Sequence, residues 1–284
     1  MTVSEAMRGA AKPMSPIPTG FGEKLPRLTG IRAVIFDVYG TLIISETGDI
    51  SGGGGEGDLA PTDELKSLFD SLEITGSPAE LAVAFAEAVR NEHRKMSSRE
   101  PYPEIVAERL WSTILGIGEA DALVFAAAWE ASVNRAWEMP GASAVLRELR
   151  SRGFALGILS NAQAYTPPLF PLLLGDSIEG FGFDPALTVF SWREGRAKPS
   201  PHFFGTLVTA LKGRGISPES AVFVGNDMLK DMAGARAAGL RTCLFAGDTR
   251  SLKTRIGDSR CAFEPDAVIT ALDRIPALVG AVGA

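Results

Sequence analysis

Short apolar segments that alternate with helical segments constrain this fold more than any other feature of the sequence. The predicted strands are too short for helices and rich in β-branched and aromatic residues; they cover residues 31–36, 154–159, 187–190, 221–224 and 241–245. Helices are predicted between and after the later strands, over residues 142–150, 201–211, 229–238 and 266–275. Such alternation is typical of a parallel sheet with helices on both faces. The sequence therefore predicts an α/β fold with a doubly wound, Rossmann-like parallel sheet.

One long stretch interrupts this alternation. Residues 61–138 are predicted to be helical throughout, with helices over 79–96, 103–115 and 120–137 and no strand between them. Residues 45–60 contain four consecutive glycines at 52–55, which indicates a flexible loop, either a plain linker or a mobile flap beside the site. We therefore predict a core built from residues 28–44 and 140–284, with an all-helical domain over 45–139 inserted into it.

The first 27 residues contain four prolines, at positions 13, 16, 18 and 26, with few apolar residues between them. We interpret residues 1–27 as a loose N-terminal arm. No apolar run reaches the ~20 residues that span a bilayer, and we expect no secretory signal, no membrane partner and a cytoplasmic location.

Composition excludes several classes of function. The chain carries 28 Lys and Arg against 34 Asp and Glu, a formal net charge of −6, which argues against binding a nucleic-acid backbone. Two cysteines, Cys243 and Cys261, cannot form a disulfide framework and are expected to be reduced thiols. The two histidines, His93 and His202, are far apart in the sequence, which argues against a zinc site built from His and Cys.

Polar residues follow several of the predicted strands at the point where each strand ends; they are Asp37, Ser160, Asn161, Asn226 and Asp227. The carboxyl ends of parallel strands meet at one edge of the sheet, where sites in such folds lie. We therefore expect these side chains to converge if their strands are neighbours.

Four short motifs contain these residues. They cover residues 36–42 (FDVYGTL), 159–161 (LSN), 198–199 (KP) and 224–231 (VGNDMLKD). In this order the four motifs resemble the haloacid dehalogenase superfamily, whose members are mostly phosphatases. The resemblance covers roughly residues 31–44 and 139–275, and it implies that the helical insertion is the family's cap domain, placed between the first and second motifs.

The resemblance implies a role for each motif residue. Asp37 is expected to attack phosphorus and form an acyl phosphate that water then hydrolyses. Lys198 would supply a cation to Asp37 and to the substrate oxygens. The substrate's phosphoryl group would lie against a further set of residues, Thr41, Ser160 and Asn161.

A cluster of oxygen ligands suits Mg²⁺. The expected ligands are Asp37, Asp227, Asp231 and the main-chain carbonyl of Tyr39. Taken one at a time, the motif residues also have structural explanations. Ser160 could cap the next turn, Lys198 could lie on a solvated surface, and Asp231 could be an acidic residue that favours a helix start.

Two departures pull in opposite directions. The family's phosphatases usually place a second Asp two positions after the nucleophile, where this chain has Tyr39. We keep Tyr39 as a candidate catalytic residue, although a phenol with a pKa near ~10 is a weak acid for an alkoxide leaving group. The sequence DVYGTL is similar to the opening motif of 2-haloacid dehalogenases, whose halide leaves without a proton. The fourth motif, with Asp227 and Asp231, is similar to metal-binding phosphatases, although Asn226 stands where many of them have Asp.

We give more weight to the fourth motif, with its carboxylates Asp227 and Asp231. We therefore predict a Mg²⁺-dependent phosphatase acting on a small phosphate ester or acyl phosphate. The alternatives are a metal-independent 2-haloacid dehalogenase and a binding protein that kept the fold. Three basic residues of the insertion, Arg90, His93 and Arg94, are interpreted as exposed helix charges. The oligomeric state stays open.

Overall fold

The computed structural model describes residues 1–48 and 61–282. Its strands are β1 Ala33–Phe36, β2 Ile43–Ser45, β3 Ala136–Glu138, β4 Ala155–Ser160, β5 Phe183–Phe190, β6 Ala221–Gly225, β7 Arg241–Phe245 and β8 Ala267–Ile269. Its α-helices are α1 Val3–Ala6, α2 Asp63–Ser71, α3 Pro78–Met96, α4 Ala107–Leu115, α5 Glu119–Val133, α6 Ala142–Ser151, α7 Ile178–Phe181, α8 Ser191–Glu194, α9 Pro201–Gly213, α10 Gly234–Ala237 and α11 Ile275–Val279. Most of the predicted glycine-rich loop, residues 49–60, lies outside the described residues.

Six strands form a parallel sheet in the order β5-β4-β1-β6-β7-β8. Side chains alternate between its two faces because successive residues of a strand point in opposite directions. In β1, Val34 and Phe36 join one buried cluster with α6 and α11, whereas Ala33 and Ile35 join another with α9. Helices therefore cover both faces of the sheet, and the predicted doubly wound α/β fold is confirmed.

The insertion lies between β2 and β3, which pair antiparallel with Ser45 opposite Ala136. The prediction that residues 61–138 contain no strand is wrong at this point, and the helix predicted to reach residue 137 ends at Val133. Pairing with β2 satisfies the main chain here, a long-range contact that a local helix pattern does not reveal. In the insertion, the Trp111 ring of α4 lies 4.5 Å from the Phe85 ring of α3 and 4.9 Å from the Phe125 ring of α5, measured between ring centroids, and Phe69 of α2 packs on Phe125.

The end of the chain also differs from its prediction. Residues 266–275, predicted as a helix, contain the edge strand β8 followed by a tight turn. Val268 and Ile269 are β-branched, and their strand pairs with β7 through Leu244 and Phe245, so burial beside β7 decides the conformation. Residues 229–238, predicted as one helix, form a π-helical turn over Met228–Ala233 and then α10.

The N-terminal arm is ordered, and the prediction of a loose segment is wrong. Val3, Ala6, Met7 and Ala10 have the spacing of one helical face, and the last three are buried against α5. The arm then continues along the sheet: Thr19 Oγ1 donates to Ala246 O over 2.6 Å, and Lys24 exchanges two main-chain hydrogen bonds with Val268. Pro13, Pro16 and Pro18 lie between these two attachments, whereas Pro26 follows Lys24.

Both cysteines are free, as the sequence predicts; Cys243 is buried, Cys261 is partly exposed, and burial raises the pKa of both thiols. Within the described ranges no single helix is long and apolar enough to cross a membrane. One pair, α4 and α5, reaches that length and composition together but is bent by 108°.

Candidate active site

The predicted convergence of polar residues occurs at the carboxyl edge of the sheet. β1 lies between β4 and β6, with Phe36 level with Ile158 on one side and Val224 on the other. From β1 the chain builds strands toward one edge of the sheet and then, at β6, toward the other. Ligands bind at such a switch point in doubly wound folds. Asp37 and the residues after β4 and β6 therefore share one small region.

Lys198 lies at the centre of this region, between two carboxylates. Its Nζ is 2.7 Å from Asp37 Oδ1 and 2.6 Å from Asp231 Oδ1, and the lysine side chain is only 2% exposed. The main-chain N–H of Lys198 donates to Asn161 Oδ1 over 2.7 Å, which ties this loop to the end of β4. Burial lowers the pKa of Lys198, but Asp231 and Asp37 outweigh it, and the net pKa lies above its ordinary value. The ammonium is therefore a permanent buried cation held against Asp37.

Asp231 is held from its other side by the main chain. Its Oδ2 accepts from the N–H groups of Asn226 and Asp227, each over 2.9 Å. Gly225 makes this approach possible, because a Cβ there would lie 2.5 Å from Asp231 Oδ2. Burial away from water raises the pKa of Asp231 above its ordinary value. Asp231 thus orients Lys198 through Oδ1, while the main-chain amides fix Oδ2.

Asp227 has a different partner, which the sequence interpretation missed. The Arg255 guanidinium contacts both carboxylate oxygens, with Nε 3.1 Å from Oδ1 and 3.2 Å from Oδ2. Asp227 also accepts from the N–H groups of Leu229 and Lys230, which start the π-helical turn. Burial raises the pKa of Asp227, but the hydrogen bonds from Arg255 and these amides lower it by more, so the net pKa is below its ordinary value. Asp227 is therefore an ionised carboxylate with an internal counter-charge.

These contacts bear directly on Mg²⁺. The oxygen donors of Asp37, Asp227 and Asp231 have the right chemistry for a hard cation. Each of the three carboxylates already contacts a cation: Lys198 lies against Asp37 and Asp231, and Arg255 lies against Asp227. Across residues 1–48 and 61–282, no three His, Cys, Asp or Glu side chains are arranged to hold a metal ion. Mg²⁺ would bind here only by displacing contacts that Lys198 and Arg255 already make with these carboxylates.

The loop after β1 buries the Tyr39 side chain, which is not part of the lining at Asp37. The Tyr39 hydroxyl is buried and lies 2.9 Å from Thr166 Oγ1. Gly40 has φ +75° and packs so closely that a Cβ would lie 2.3 Å from Asn226 Nδ2, so only glycine is accommodated there. Thr41 is fully buried, and its Oγ1 finds no hydrogen-bond partner among the described residues.

A small cavity of about 20 Å³, room for about one water molecule, lies at Asp37. Its lining residues are Asp37, Gly48, Asn161, Lys198, Asn226, Asp227, Lys230, Asp231, Ser251 and Lys253. Asn161 therefore reaches this nucleophile cavity, whereas Ser160 is fully buried beside it and donates from Oγ to Asn161 O over 3.3 Å. Lys230 and Lys253 add two cations that the sequence interpretation did not assign.

A second cavity, the basic cleft, adjoins the first. It is lined by Arg90, His93, Arg94, Ser97, Pro101, Tyr102, Pro103, Asn161, Ala197, Lys198 and Lys230. Asn161, Lys198 and Lys230 line both cavities. Arg90 and Arg94 are exposed, as the sequence predicts, and they also border the site. Their spacing was the available signal, since Arg90 and Arg94 are like charges one helical turn apart.

Comparisons with known proteins identify the family of this chain. The sequence profile of the haloacid dehalogenase-like hydrolases matches residues 31–239. Phosphoserine phosphatase of Thermus thermophilus is 34% identical over 137 residues, 45% of this chain and 51% of that protein. Glyceraldehyde 3-phosphate phosphatase of Methanopyrus kandleri is 31% identical over 135 residues, 47% and 54% of the two chains. The chain thus spans about half the length of these curated relatives.

Solved structures show the same fold. The 2-haloacid dehalogenase from Pseudomonas syringae pv. Tomato DC3000 has a TM-score of 0.56 at 20% identity, over 87% of this chain and 97% of its own. The putative HAD-hydrolase YfnB from Bacillus subtilis, bound to magnesium, has a TM-score of 0.52 at 19% identity, over 88% and 99%. At this sequence identity the likeness shows a shared fold and does not identify the reaction.

Proposed function

The chain belongs to the haloacid dehalogenase-like hydrolase family, and from that premise we propose that it is a phosphatase acting through a phosphoaspartate at Asp37. Its substrate would be a small phosphate ester or acyl phosphate. The observation that carries the proposal is the buried contact of Lys198 with Asp37, 2.7 Å long, at the carboxyl edge of the sheet. Relatives whose names describe phosphatases support the same reaction class.

The proposed chemistry has two steps. Asp37 attacks the substrate's phosphorus through an oxygen, the new O–P bond forms, and the bond from phosphorus to the leaving oxygen breaks. Water then attacks phosphorus, releases inorganic phosphate and returns Asp37 as a carboxylate. Lys198 engages Oδ1 of Asp37, and Lys230 and Lys253 line the same cavity. These cations would neutralise the charge on the phosphoryl oxygens, the main demand of phosphoryl transfer.

The proton for the leaving group limits the choice of substrate. The Tyr39 hydroxyl hydrogen-bonds with Thr166 and is not part of the cavity lining. An alkoxide leaving group would receive no proton from it in this conformation. We therefore propose that substrates with acidic leaving groups, acyl or aryl phosphates, react fastest.

Mg²⁺ enters the proposal with one condition. When bound, it would supply positive charge to the phosphoryl oxygens. Asp37 and Asp227 line the cavity where it would bind, but Asp227 would first have to give up its contacts with Arg255. Asp231 would remain the partner of Lys198. We therefore expect a weak requirement for Mg²⁺.

The same charge balance keeps a second candidate function open. Lys198 and Arg255 compensate Asp231 and Asp227 without a divalent ion, so a metal-free reaction is electrostatically feasible. In a 2-haloacid dehalogenase Asp37 would displace halide from carbon, and halide needs no proton from Tyr39. Such an enzyme would release halide equally with and without a chelator.

The experiment measures phosphate release from acetyl phosphate and p-nitrophenyl phosphate, and chloride release from 2-chloropropionate, each with Mg²⁺ and with EDTA. Wild type is compared with Asp37→Asn and with Asp273→Asn, which makes the same change at an exposed position. We expect phosphate release that Asp37→Asn abolishes and Asp273→Asn retains. Chloride release without phosphate release would replace the proposal with the dehalogenase.

A further inference from the structure

The basic cleft has an unusual charge composition for this chain. Its lining includes Arg90 and Arg94 and no Asp or Glu, while Lys198, which also lines it, is already held by Asp37 and Asp231. The whole chain carries a net charge of −6, so a local excess of cations runs against its composition. The cleft holds about 570 Å³ of space, which is within the range of small-molecule sites.

The two arginines of the cleft destabilise the helix that carries them. Arg90 and Arg94 are four residues apart on α3, where like charges face each other and destabilise the helix. No carboxylate within the described part of the chain forms a salt bridge with either of them, whereas Lys95 on the same helix pairs with Glu92 over 3.1 Å. The helix thus pairs Lys95 with Glu92 and leaves Arg90 and Arg94 available to another anion.

A third group on this helix supports the same conclusion. His93 lies between the two arginines and lines the cleft. Its Nε2 is buried and has no hydrogen-bond partner in the described ranges. A buried polar nitrogen without a partner carries a free-energy cost that a bound ligand can remove.

The cleft is held in place relative to the nucleophile. Ala197 N donates to Tyr102 O over 2.8 Å, and Glu104 N donates to Gly195 O over 3.2 Å. These bonds dock the segment after α3 onto the loop that carries Lys198. Asn161, Lys198 and Lys230 line both cavities, so a molecule with its phosphoryl group at Asp37 would extend into the basic cleft.

We propose that the basic cleft binds a second anionic group of the substrate, a carboxylate or a phosphate, through Arg90 and Arg94. The preferred substrate class is then a small phosphate monoester with a second anionic group at its far end. This inference rests on the proposed phosphatase activity and specifies its substrate.

The test compares kcat/KM for phenyl phosphate, p-carboxyphenyl phosphate and hydroquinone bisphosphate, whose leaving groups are all phenols. We expect at least one of the two doubly anionic esters to be favoured about tenfold or more, a ratio equivalent to one good charged contact. An advantage of the carboxylate alone or of the bisphosphate alone would support the cleft and identify its anion. The double variant Arg90→Gln/Arg94→Gln should bring the ratio close to one, whereas Lys95→Gln, the matched control on the same helix, should retain it.

Equal kcat/KM values in the wild type would overturn the inference, as would a ratio that the double variant leaves unchanged. If none of the three esters releases phosphate, the proposed function fails and the inference is decided by binding. Calorimetry would then compare hydroquinone bisphosphate with phenyl phosphate. Tighter binding of the bisphosphate that the double variant removes supports the cleft, and equal binding overturns it.

Discussion

The nucleophile cavity and the basic cleft share Lys198 but compensate their charges in different ways. In the nucleophile cavity each of Asp37, Asp227 and Asp231 contacts Lys198 or Arg255. In the basic cleft Arg90 and Arg94 have no carboxylate beside them in the lining. Buried charges must be paired to be tolerated, whereas exposed charges such as those of Arg90 and Arg94 are solvated by water until a ligand arrives. The first cavity therefore carries its own counter-charges, and the second obtains them from solvent or substrate.

Lys198→Met tests the internally compensated cavity and should have the largest effect. It leaves Asp37 and Asp231 buried without the cation that lies between them, and removal of one partner from a buried ion pair costs about 3–5 kcal/mol of unfolding free energy. Urea denaturation measures the loss. The double variant Lys198→Met/Asp231→Asn removes one of the two stranded carboxylates and should recover part of it. Stability equal to wild type in Lys198→Met would refute this account of the cavity.

Arg90→Gln tests the cleft and should have the smallest effect, with the opposite sign. Removal of one of two like charges spaced by four residues should leave the unfolding free energy unchanged or raise it by about 0.2–0.5 kcal/mol. The same denaturation measurement applies, with Lys95→Gln as the variant that instead removes an ion pair. A loss above about 1 kcal/mol would show that Arg90 has a structural partner, and the contrast between the cavities would disappear.

The sheet and its polar edge could be predicted from the sequence because both depend on local pattern. β1, β4, β6 and β7 are short apolar runs, and Asp37 or Asn226 follows directly after a strand. Lys198 was found through a motif, since nothing in its neighbours indicates that it turns into the site. The parallel sheet then brings these residues close together, because the carboxyl ends of its strands meet at one edge.

The features missed by sequence reasoning depend on contacts between distant segments. Arg255 reaches Asp227 from a loop 28 residues further on, and no periodicity relates the two. β3 and β8 form because β2 and β7 offer open edges. The arm carried a visible signal, the helical spacing of Val3, Ala6, Met7 and Ala10, but its surface of contact is α5, more than a hundred residues away.

We predict that Asp37 becomes phosphorylated during turnover. The direct test is acid quenching of the protein during acetyl phosphate hydrolysis, followed by peptide mass spectrometry. We expect a peptide containing Asp37 that is heavier by one phosphoryl group, present in wild type and Asp273→Asn and absent from Asp37→Asn. Steady phosphate release in which that peptide stays unmodified, or in which the phosphoryl group appears on another residue, would contradict it.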